Sequence, residues 1–146
     1  MNNIISIKKE HLLECTELYI KVFNEVPWND KWTLDTAYKR LNDISISPNF
    51  EGVLYVEGTQ VKGAIFGNYE QFYEGIHYNL REMFISNELQ GKGIGSKLLN
   101  VLEKKLKEID VTTIILFTSK GVKTSKFYLK NDFLELENMV MMGKDI

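Results

Sequence analysis

The stretch "LQGKGIGSKLL", Leu89–Leu99, joins a strand-like segment to an amphipathic helical pattern. Glycine occupies every second position, at Gly91, Gly93 and Gly95, and the helical stripe of apolar residues begins at once. A turn of this kind presents unpaired backbone N–H groups at the positive end of a helix dipole, which is a binding site for anions. The sequence therefore predicts a strand–turn–helix unit that binds phosphate.

The spacing of these glycines excludes two common nucleotide-binding motifs. The dinucleotide pattern G-x-G-x-x-G places its third glycine one residue later than Gly95 and belongs to a first βαβ unit. The P-loop pattern G-x-x-x-x-G-K-[ST] fails as well, because Gln90 lies five positions before Gly95 and Ser96 stands where lysine is required. The spacing that does fit is Q-x-x-G-x-G, formed by Gln90, Gly93 and Gly95.

The composition indicates one domain, residues 1–146, with 44% hydrophobic and 26% charged residues. Its 18 Lys and Arg against 20 Asp and Glu give a net charge of -2, which does not favour nucleic acid as a partner and suits cationic small molecules. The first residues lack the pattern of a signal peptide, and no apolar run approaches the ~20 residues that span a bilayer. We expect a cytoplasmic protein with no membrane partner.

The cysteine and histidine content excludes two kinds of site. Cys15 is the single cysteine, so the chain forms no internal disulfide, which fits a reducing compartment. Cys15 lies on the apolar stripe of a predicted helix and is expected in the core. Because His11, His77 and Cys15 are scattered, no metal-ligand spacing is present and we expect no metal.

The hydrophobic periodicity predicts a mixed α/β fold. The run 111–118 is continuous and β-branched, as is typical of a strand buried on both faces. The predicted order is β-α-α-β-β-β-α-β-α-β, a mostly antiparallel central sheet with helices on both faces and a parallel crossover at the glycine turn. The elements are strands at 4–8, a hairpin within 52–70, strands at 76–86 and 111–118, helices at 11–23, 34–44, 93–108 and 122–132, and one or two closing strands within 133–144.

Two motifs in this order resemble those of the GNAT N-acetyltransferase superfamily. The Q-x-x-G-x-G spacing resembles its acyl-CoA-binding motif, and "KFYLKNDF", Lys126–Phe133, looks like its F-Y-x-x-x-G-F motif. The resemblance covers nearly the whole chain, and the "EMFI" strand with the Trp-rich loop is similar to members related to aminoglycoside acetyltransferases. It implies a GNAT-like fold and acetyl-CoA as co-substrate.

The resemblance also implies which backbone would hold coenzyme A. The pantetheine arm would pair, like an extra strand, with the main chain of Met83, Phe84 and Ile85. Lys92 and Lys97 would add charge attraction, or would simply be solvated, as exposed lysines on helices usually are. The N–H groups for the pyrophosphate would come from Gln90, Gly91, Lys92, Gly93, Ile94, Gly95 and Ser96.

Acetyl transfer from a thioester requires a neutral amine, a polarised carbonyl and a proton for the leaving thiolate. An alkylamine has a pKa near ~10, so a base or a water chain must remove a proton. Glu82 lies on the strand before the loop, where many family members carry an acidic residue, and is the candidate base. The alternative is that Glu82 faces solvent or pairs with Arg81. A backbone amide near Phe84 would polarise the carbonyl.

Tyr128 is the tyrosine of the second motif and the candidate proton donor to the thiolate. The alternative is a core aromatic residue, which is the expectation for its neighbour Phe127. Two positions depart from the family pattern. Asp132 replaces the usual glycine, although Asp tolerates a left-handed turn. Gly121 replaces an asparagine that often contacts the coenzyme.

The acceptor site is less defined by the sequence. The segment between the first two helices, "FNEVPWNDKW", commonly helps to form this site in the superfamily, and its aromatic and acidic residues suit a cationic amine. The alternative is that the tryptophans pack the two helices together. The candidate substrate-binding residues are Glu25, Trp28, Asp30, Trp32 and Tyr73, with Glu70 and Glu74 adding negative charge.

The leading hypothesis is an N-acetyltransferase that moves an acetyl group from acetyl-CoA to a primary amine of a small molecule. The alternative from another class is a non-catalytic acyl-CoA-binding sensor, which the departures at Gly121 and Asp132 motivate. The Met-rich end, Met139 to Met142, is expected to be a closing strand that a homodimer would use as its contact.

Overall fold

A computed structural model describes residues 3–121 and 123–146. The chain divides into two compact units, Met1–Leu116 and Phe117–Ile146. Among these residues, the first unit contains a five-stranded sheet and three α-helices, and the second unit contains one α-helix. The mixed α/β class predicted from periodicity is confirmed.

The strands and helices follow one another in the predicted order as far as the last helix. Short 3₁₀ turns precede α1 and α3, at Lys9–His11 and Asn87–Leu89. The strands are β1 (Ile4–Ser6), β2 (Phe50–Glu57), β3 (Gln60–Phe72), β4 (Gly75–Ile85) and β5 (Val111–Ile115), and the helices are α1 (Leu12–Phe23), α2 (Leu34–Ser45), α3 (Ile94–Glu108) and α4 (Lys123–Lys130).

The sheet has the order β1-β2-β3-β4-β5, with three antiparallel pairings and one parallel pairing, between β4 and β5. A parallel pair requires a crossover, and α3 supplies it. Ala64 and Phe66 of β3 belong to one buried cluster with residues of α1 and α2. Gly63 faces Leu98 of α3 instead. We call these two sides of the sheet the α1/α2 face and the α3 face.

The helices on the α1/α2 face form where the sequence predicts them. Thr33 caps α2, since its side-chain oxygen accepts a hydrogen bond from the Thr36 backbone N–H at 3.1 Å. The predicted apolar stripe of α1 is buried throughout its length, at Leu12, Cys15, Tyr19 and Val22.

An irregularity in the β3–β4 ladder determines which side chains of β4 face which helices. Phe66 lies opposite Glu82, whereas the next residue, Gly67, lies opposite Leu80, so Arg81 is an extra residue in β4. Because side chains alternate between the faces of a sheet, this β-bulge changes the parity of the strand. Two residues of β4 on opposite sides of the bulge therefore share a face when their residue numbers differ by an odd number.

On the α3 face, Gly67 leaves room for the ring of Tyr78. A Cβ atom at position 67 would overlap this ring and the carbonyl oxygen of Asn79. Tyr78 is fully buried, and its hydroxyl donates to the carbonyl oxygen of Glu51 at 2.8 Å. The β2–β3–β4 ladders and this tyrosine therefore depend on glycine at position 67.

Two predictions near the end of the chain are wrong. Segment 111–118 is predicted to be buried on both faces, but among the described residues β5 pairs only with β4, and it exposes Thr112 and Thr113 at the sheet edge. The closing strands predicted within 133–144 are not formed, since residues 131–146 contain only turns and irregular backbone. An apolar, β-branched run favours a strand but does not specify a ladder partner, and a strand requires one. Val122, in the predicted last helix, lies outside the described residues.

No helix within residues 3–121 and 123–146 is long and apolar enough to cross a bilayer. Within the same ranges, no three His, Cys, Asp or Glu side chains are grouped as metal ligands.

Replacing Gly67 by alanine is expected to destabilise the sheet by about 1–3 kcal/mol, because the new Cβ atom must displace the Tyr78 ring and the adjacent backbone. Urea unfolding followed by circular dichroism measures the loss. The matched control is Lys104→Ala on the exposed side of α3, which should change the free energy of unfolding by less than about 0.5 kcal/mol. Equal stability of the two variants would contradict the tight packing at position 67.

Cys15 is completely buried, and burial raises the pKa of its thiol to about 12, with Glu14 as a smaller cause. The thiolate is the reactive form, so the native protein should not react with a thiol-specific disulfide reagent at neutral pH. Unfolding in guanidinium chloride should release one reactive thiol per chain. Rapid labelling of the native protein would show that α1 is not packed as described.

Candidate active site

The glycine turn directly connects β4 to α3. After β4 ends at Ile85 and a 3₁₀ turn follows, Gly91 and Gly93 adopt φ angles of 79° and 81°. These angles lie in the left-handed region, where glycine is favoured because it has no Cβ atom. Gly93 is the residue that caps α3, and Ile94 is the first residue of the helix.

The first turn of α3 has the properties of an anion site. It has no side-chain cap and no acidic residue, so its N–H groups are not satisfied from within the helix. A Cβ atom built on Gly91 or Gly93 would meet nothing within 4 Å, so the approach to this turn is open. Backbone N–H groups and the helix dipole together favour a negatively charged group here.

The side chain of Gln90 holds the turn in place. Its Nε2 atom donates to the carbonyl oxygen of Ile85 at 3.2 Å and to Oδ1 of Asn87 at 3.0 Å. Gln90 therefore joins the end of β4 to the 3₁₀ turn through its side chain, while Lys92 and Lys97 are exposed.

A second set of polar contacts anchors the same turn to β3. Lys62 Nζ lies 2.7 Å from Glu88 Oε1, and the Ser86 hydroxyl donates to the other oxygen of that carboxylate. The hydrogen bonds from Lys62 and then Ser86 lower the pKa of Glu88 to about 2. Glu88 thus stays ionised and tied to Lys62 over the physiological pH range.

The ladder between β4 and β5 covers only part of β4. It joins Ile76–Asn79 to Val111–Ile115 and ends there. The three residues expected to contact the pantetheine arm, Met83, Phe84 and Ile85, come after this point. The Phe84 side chain is buried and stacks on Phe66, with ring centroids 6.1 Å apart, so the backbone of this segment is held by the core.

Glu82 lies on the α1/α2 face in a network with one residue from each helix. Its Oε2 atom accepts hydrogen bonds from the Tyr19 hydroxyl and from Arg40 Nε, each at 2.9 Å. Its Oε1 atom accepts none from the described residues. The Glu82 side chain is 15% exposed. The alternative in which Glu82 pairs with Arg81 is wrong, because the bulge carries Arg81 into solvent.

Tyr19 and Arg40 are the residues that sequence reasoning missed. The sequence placed Tyr19 among the core residues of α1, and no motif marks Arg40. Burial, followed by the charge of Glu82, raises the pKa of the Tyr19 phenol, so Tyr19 remains protonated and donates. The signal in the sequence was that Tyr19 carries a polar hydroxyl group on the otherwise apolar stripe of α1.

Tyr128 lies on α4 in the second unit. Its ring packs edge-on against Phe127 and Phe133, with centroids 5.2 Å and 5.3 Å away. Within the same unit, Asp132 has φ 70°, which confirms that aspartate accommodates the left-handed turn expected there. Gly121 has φ 72°, a conformation that suits glycine better than the asparagine of the family pattern.

The tryptophans of the α1–α2 loop pack against aromatic residues of α1. Trp32 lies edge-on to Tyr19 with centroids 5.1 Å apart, and Trp28 contacts Phe23 at 5.7 Å. Trp32 Nε1 donates to Asp30 Oδ2 at 3.1 Å. These contacts support the packing alternative, and a role in substrate binding stays a prediction.

The side chains of the other two candidate residues contact different parts of the chain. Glu25 accepts a hydrogen bond from Asn87 Nδ2 at 2.6 Å and lines a surface cleft of about 520 Å³ between α1 and the start of β3. Tyr73 is 98% exposed in the β3–β4 turn, at the end of β4 opposite the glycine turn. Glu74, beside it, contacts His77 Nε2 at 3.0 Å.

Solved structures of similar fold are numerous, at low sequence identity. A possible acetyltransferase from Clostridium difficile 630 has a TM-score of 0.82 and 14% identity, covering 98% of this chain and 97% of that one. Aminoglycoside N-acetyltransferase AAC(6')-Iy, in complex with CoA, has a TM-score of 0.76 and 15% identity, with 98% and 94% covered. An aminoglycoside acetyltransferase from an uncultured soil metagenomic sample, in complex with sisomicin, has a TM-score of 0.73 and 14% identity, with 98% and 94% covered.

No curated protein matches this chain in sequence, but a family model does. A family model described as an acetyltransferase (GNAT) domain matches residues 37–135, which include β4, the glycine turn, α3 and α4. The match covers more than half of the chain, and the chain therefore belongs to the GNAT acetyltransferase family.

Proposed function

We propose that this protein transfers an acetyl group from acetyl-CoA to a primary amine of a small molecule by direct attack on the thioester. The observation that carries the proposal is the glycine-lined N-terminus of α3, which has no side-chain cap and follows β4 through the glycine turn, in a chain of the GNAT family. The neighbour that binds CoA and the neighbour that binds sisomicin support acetyl-CoA as donor and an amine as acceptor.

Coenzyme A binds through backbone rather than through charged side chains. Its pyrophosphate accepts hydrogen bonds from the N–H groups of Gln90–Ser96, and the open approach at the glycines admits it. Its pantetheine arm runs along β4 beyond Asn79, where the ladder with β5 has ended. Met83, Phe84 and Ile85 supply the main-chain contacts there.

The chemistry requires three proton transfers, two away from the acceptor nitrogen and one to the leaving thiolate. Oε1 of Glu82 takes a proton from the ammonium, directly or through water, while Tyr19 and Arg40 hold Oε2. The neutral amine attacks the thioester carbon, whose oxygen is polarised by a backbone N–H near Phe84. The carbon–sulfur bond then breaks and its electron pair leaves on sulfur, the nitrogen gives its surplus proton to water, and Tyr128 donates a proton to the thiolate.

The amine substrate binds on the α1/α2 side of β4, where Glu82 lies. The loop residues Trp28, Asp30 and Trp32 form an aromatic and acidic border near Tyr19, which suits a cation. The Glu25 carboxylate is held by Asn87, and Tyr73 lies at the other end of β4, so these two residues would contact only an extended substrate.

The anion site is tested by Ser96→Asp in the first turn of α3. A carboxylate here stabilises the helix dipole, so thermal stability should be unchanged or slightly raised. The same charge opposes the pyrophosphate, and CoA affinity measured by calorimetry should fall at least about tenfold. The matched control is Asn100→Asp, with the same charge change further along the exposed side of α3, and its CoA affinity should be unchanged. Equal CoA affinity of the two variants would contradict a pyrophosphate site at the glycine turn.

The catalytic roles are tested by Glu82→Gln and Tyr128→Phe. Loss of a general base or acid should lower kcat by about 10²–10⁴-fold, while CoA affinity is retained. Thiol release from acetyl-CoA in a panel of primary amines measures turnover, and Arg81→Gln, the exposed neighbour of Glu82, is the control with normal kcat. Normal kcat in Glu82→Gln and Tyr128→Phe would refute the assigned roles. Binding of CoA without acetylation of any amine would instead identify a sensor.

A further inference from the structure

The loop between α1 and α2, residues 24–33, is held together by its own hydrogen bonds. The Asn24 side chain pairs with the Trp32 backbone in both directions, since Nδ2 donates to the Trp32 carbonyl oxygen and Oδ1 accepts from its N–H, each at 2.9 Å. The Asp30 N–H donates to the Phe23 carbonyl oxygen at 2.9 Å. Because these bonds close the loop, a displacement of Glu25, the neighbour of Asn24, also displaces Trp32.

A hydrogen bond between side chains joins this loop to the glycine turn. Asn87 Nδ2 donates to Glu25 Oε2 at 2.6 Å, across 62 positions of sequence. Within residues 3–121 and 123–146, no other hydrogen bond connects the loop with segment 86–96. The acceptor is a carboxylate, and hydrogen bonds to charged groups are stronger than neutral ones. Asn87 is therefore the point at which a change in the turn can reach the loop.

The Asn87 amide uses both of its ends. Its Oδ1 atom accepts from Gln90 Nε2 at 3.0 Å, while its Nδ2 atom donates to Glu25. Both atoms belong to one planar amide group, so a rotation that breaks one of these hydrogen bonds also displaces the other. Gln90, Asn87 and Glu25 therefore form a continuous chain from the glycine turn to the α1–α2 loop.

Gln90 is also the residue at which an occupant of the turn would change this chain. Its backbone N–H donates to the Asn87 carbonyl oxygen at 3.4 Å, which is long for a hydrogen bond. In the proposed function, the same N–H is one of those that bind the pyrophosphate of CoA. A diphosphate is a charged acceptor and competes well with this neutral carbonyl oxygen. Binding at the turn thus shifts Gln90 relative to Asn87.

We propose that Asn87 is a positioning residue that transmits occupancy of the glycine turn to the α1–α2 loop through Glu25. A diphosphate bound at the turn repositions the Gln90–Asn87 pair, and the loop follows through the Glu25 carboxylate. The aromatic and acidic border of the acceptor side lies on this loop, so its position depends on the donor. The inference rests on the proposed function and gives Glu25 a role in holding the loop rather than in binding the substrate.

Tryptophan fluorescence reports on this loop, because Trp28 and Trp32 are the two tryptophans of the chain and both lie in it. The ligands are CoA and ADP, and calorimetry measures the binding of each. ADP carries a diphosphate but has no pantetheine arm, so it can act on the loop only from the turn. Both ligands should change the tryptophan emission of the wild-type protein at saturation.

The decisive variant is Asn87→Asp, which keeps the shape of the side chain but faces Glu25 with a second carboxylate. Repulsion between the two carboxylates breaks the link, so the emission change at saturating ligand should fall at least about threefold. Adding Glu25→Gln should restore most of it, because the new amide at position 25 donates to the carboxylate at position 87. Gln90 still donates to the other oxygen of that carboxylate. Rescue by a second substitution measures the link itself.

Asn100→Asp is the matched control, because it adds the same charge on the exposed side of α3, away from the loop. It should keep the emission change of the wild-type protein. Asn87→Asp also places a negative charge beside the turn and lowers the affinity for both ligands. Emission is therefore compared at saturation, where a difference in affinity no longer contributes.

Four results would overturn the inference. Two concern the variants: an emission change in Asn87→Asp equal to that of the wild type, or a double variant as defective as Asn87→Asp. The third is a wild-type protein that binds both ligands without a change in emission. The fourth is a response to CoA but none to bound ADP, which would mean that the pantetheine arm contacts the loop directly. Failure of the proposed function is distinguishable, because it appears as absent CoA binding in calorimetry or absent thiol release.

Discussion

The β-bulge at Arg81 is the constraint on which the arrangement of β4 depends. Side chains of a strand alternate between its two faces, so an added residue reverses the assignment of every position beyond it. Here the bulge leaves Tyr78 on the α3 face and puts Glu82 on the α1/α2 face. Without it, Glu82 and the polar residues near the β3–β4 turn would lie on opposite sides of the sheet.

The contacts of Glu82 couple the packing of the helices to the chemistry proposed for the site. A largely buried carboxylate requires compensating partners, and Tyr19 and Arg40 provide them from α1 and α2. The same two hydrogen bonds tie both helices to β4 and hold Oε2, so that only Oε1 is available to accept a proton. An orientation of this kind is what a general base needs, because proton transfer depends on geometry before it depends on basicity.

Features formed by residues that are close together in the sequence could be predicted from it. The Thr33 cap, the buried stripe of α1 and the glycine turn before α3 each arise within a few residues of one another. The partners of Glu82 could not be predicted, since Tyr19 and Arg40 are distant in sequence and neither belongs to a motif. The edge position of β5 was missed for the same reason, because a strand's own residues do not identify its neighbours.

The sequence by itself determined the strand–turn–helix unit around Gly93, the order of the elements up to α4, and the family to which the chain belongs. These follow from local periodicity, from the backbone freedom of glycine and from motif spacing. Only the tertiary structure decided that Glu82 is held by Tyr19 and Arg40 and that Phe66 shares its face. Those relations depend on cross-strand register, and one extra residue in β4 is enough to change it.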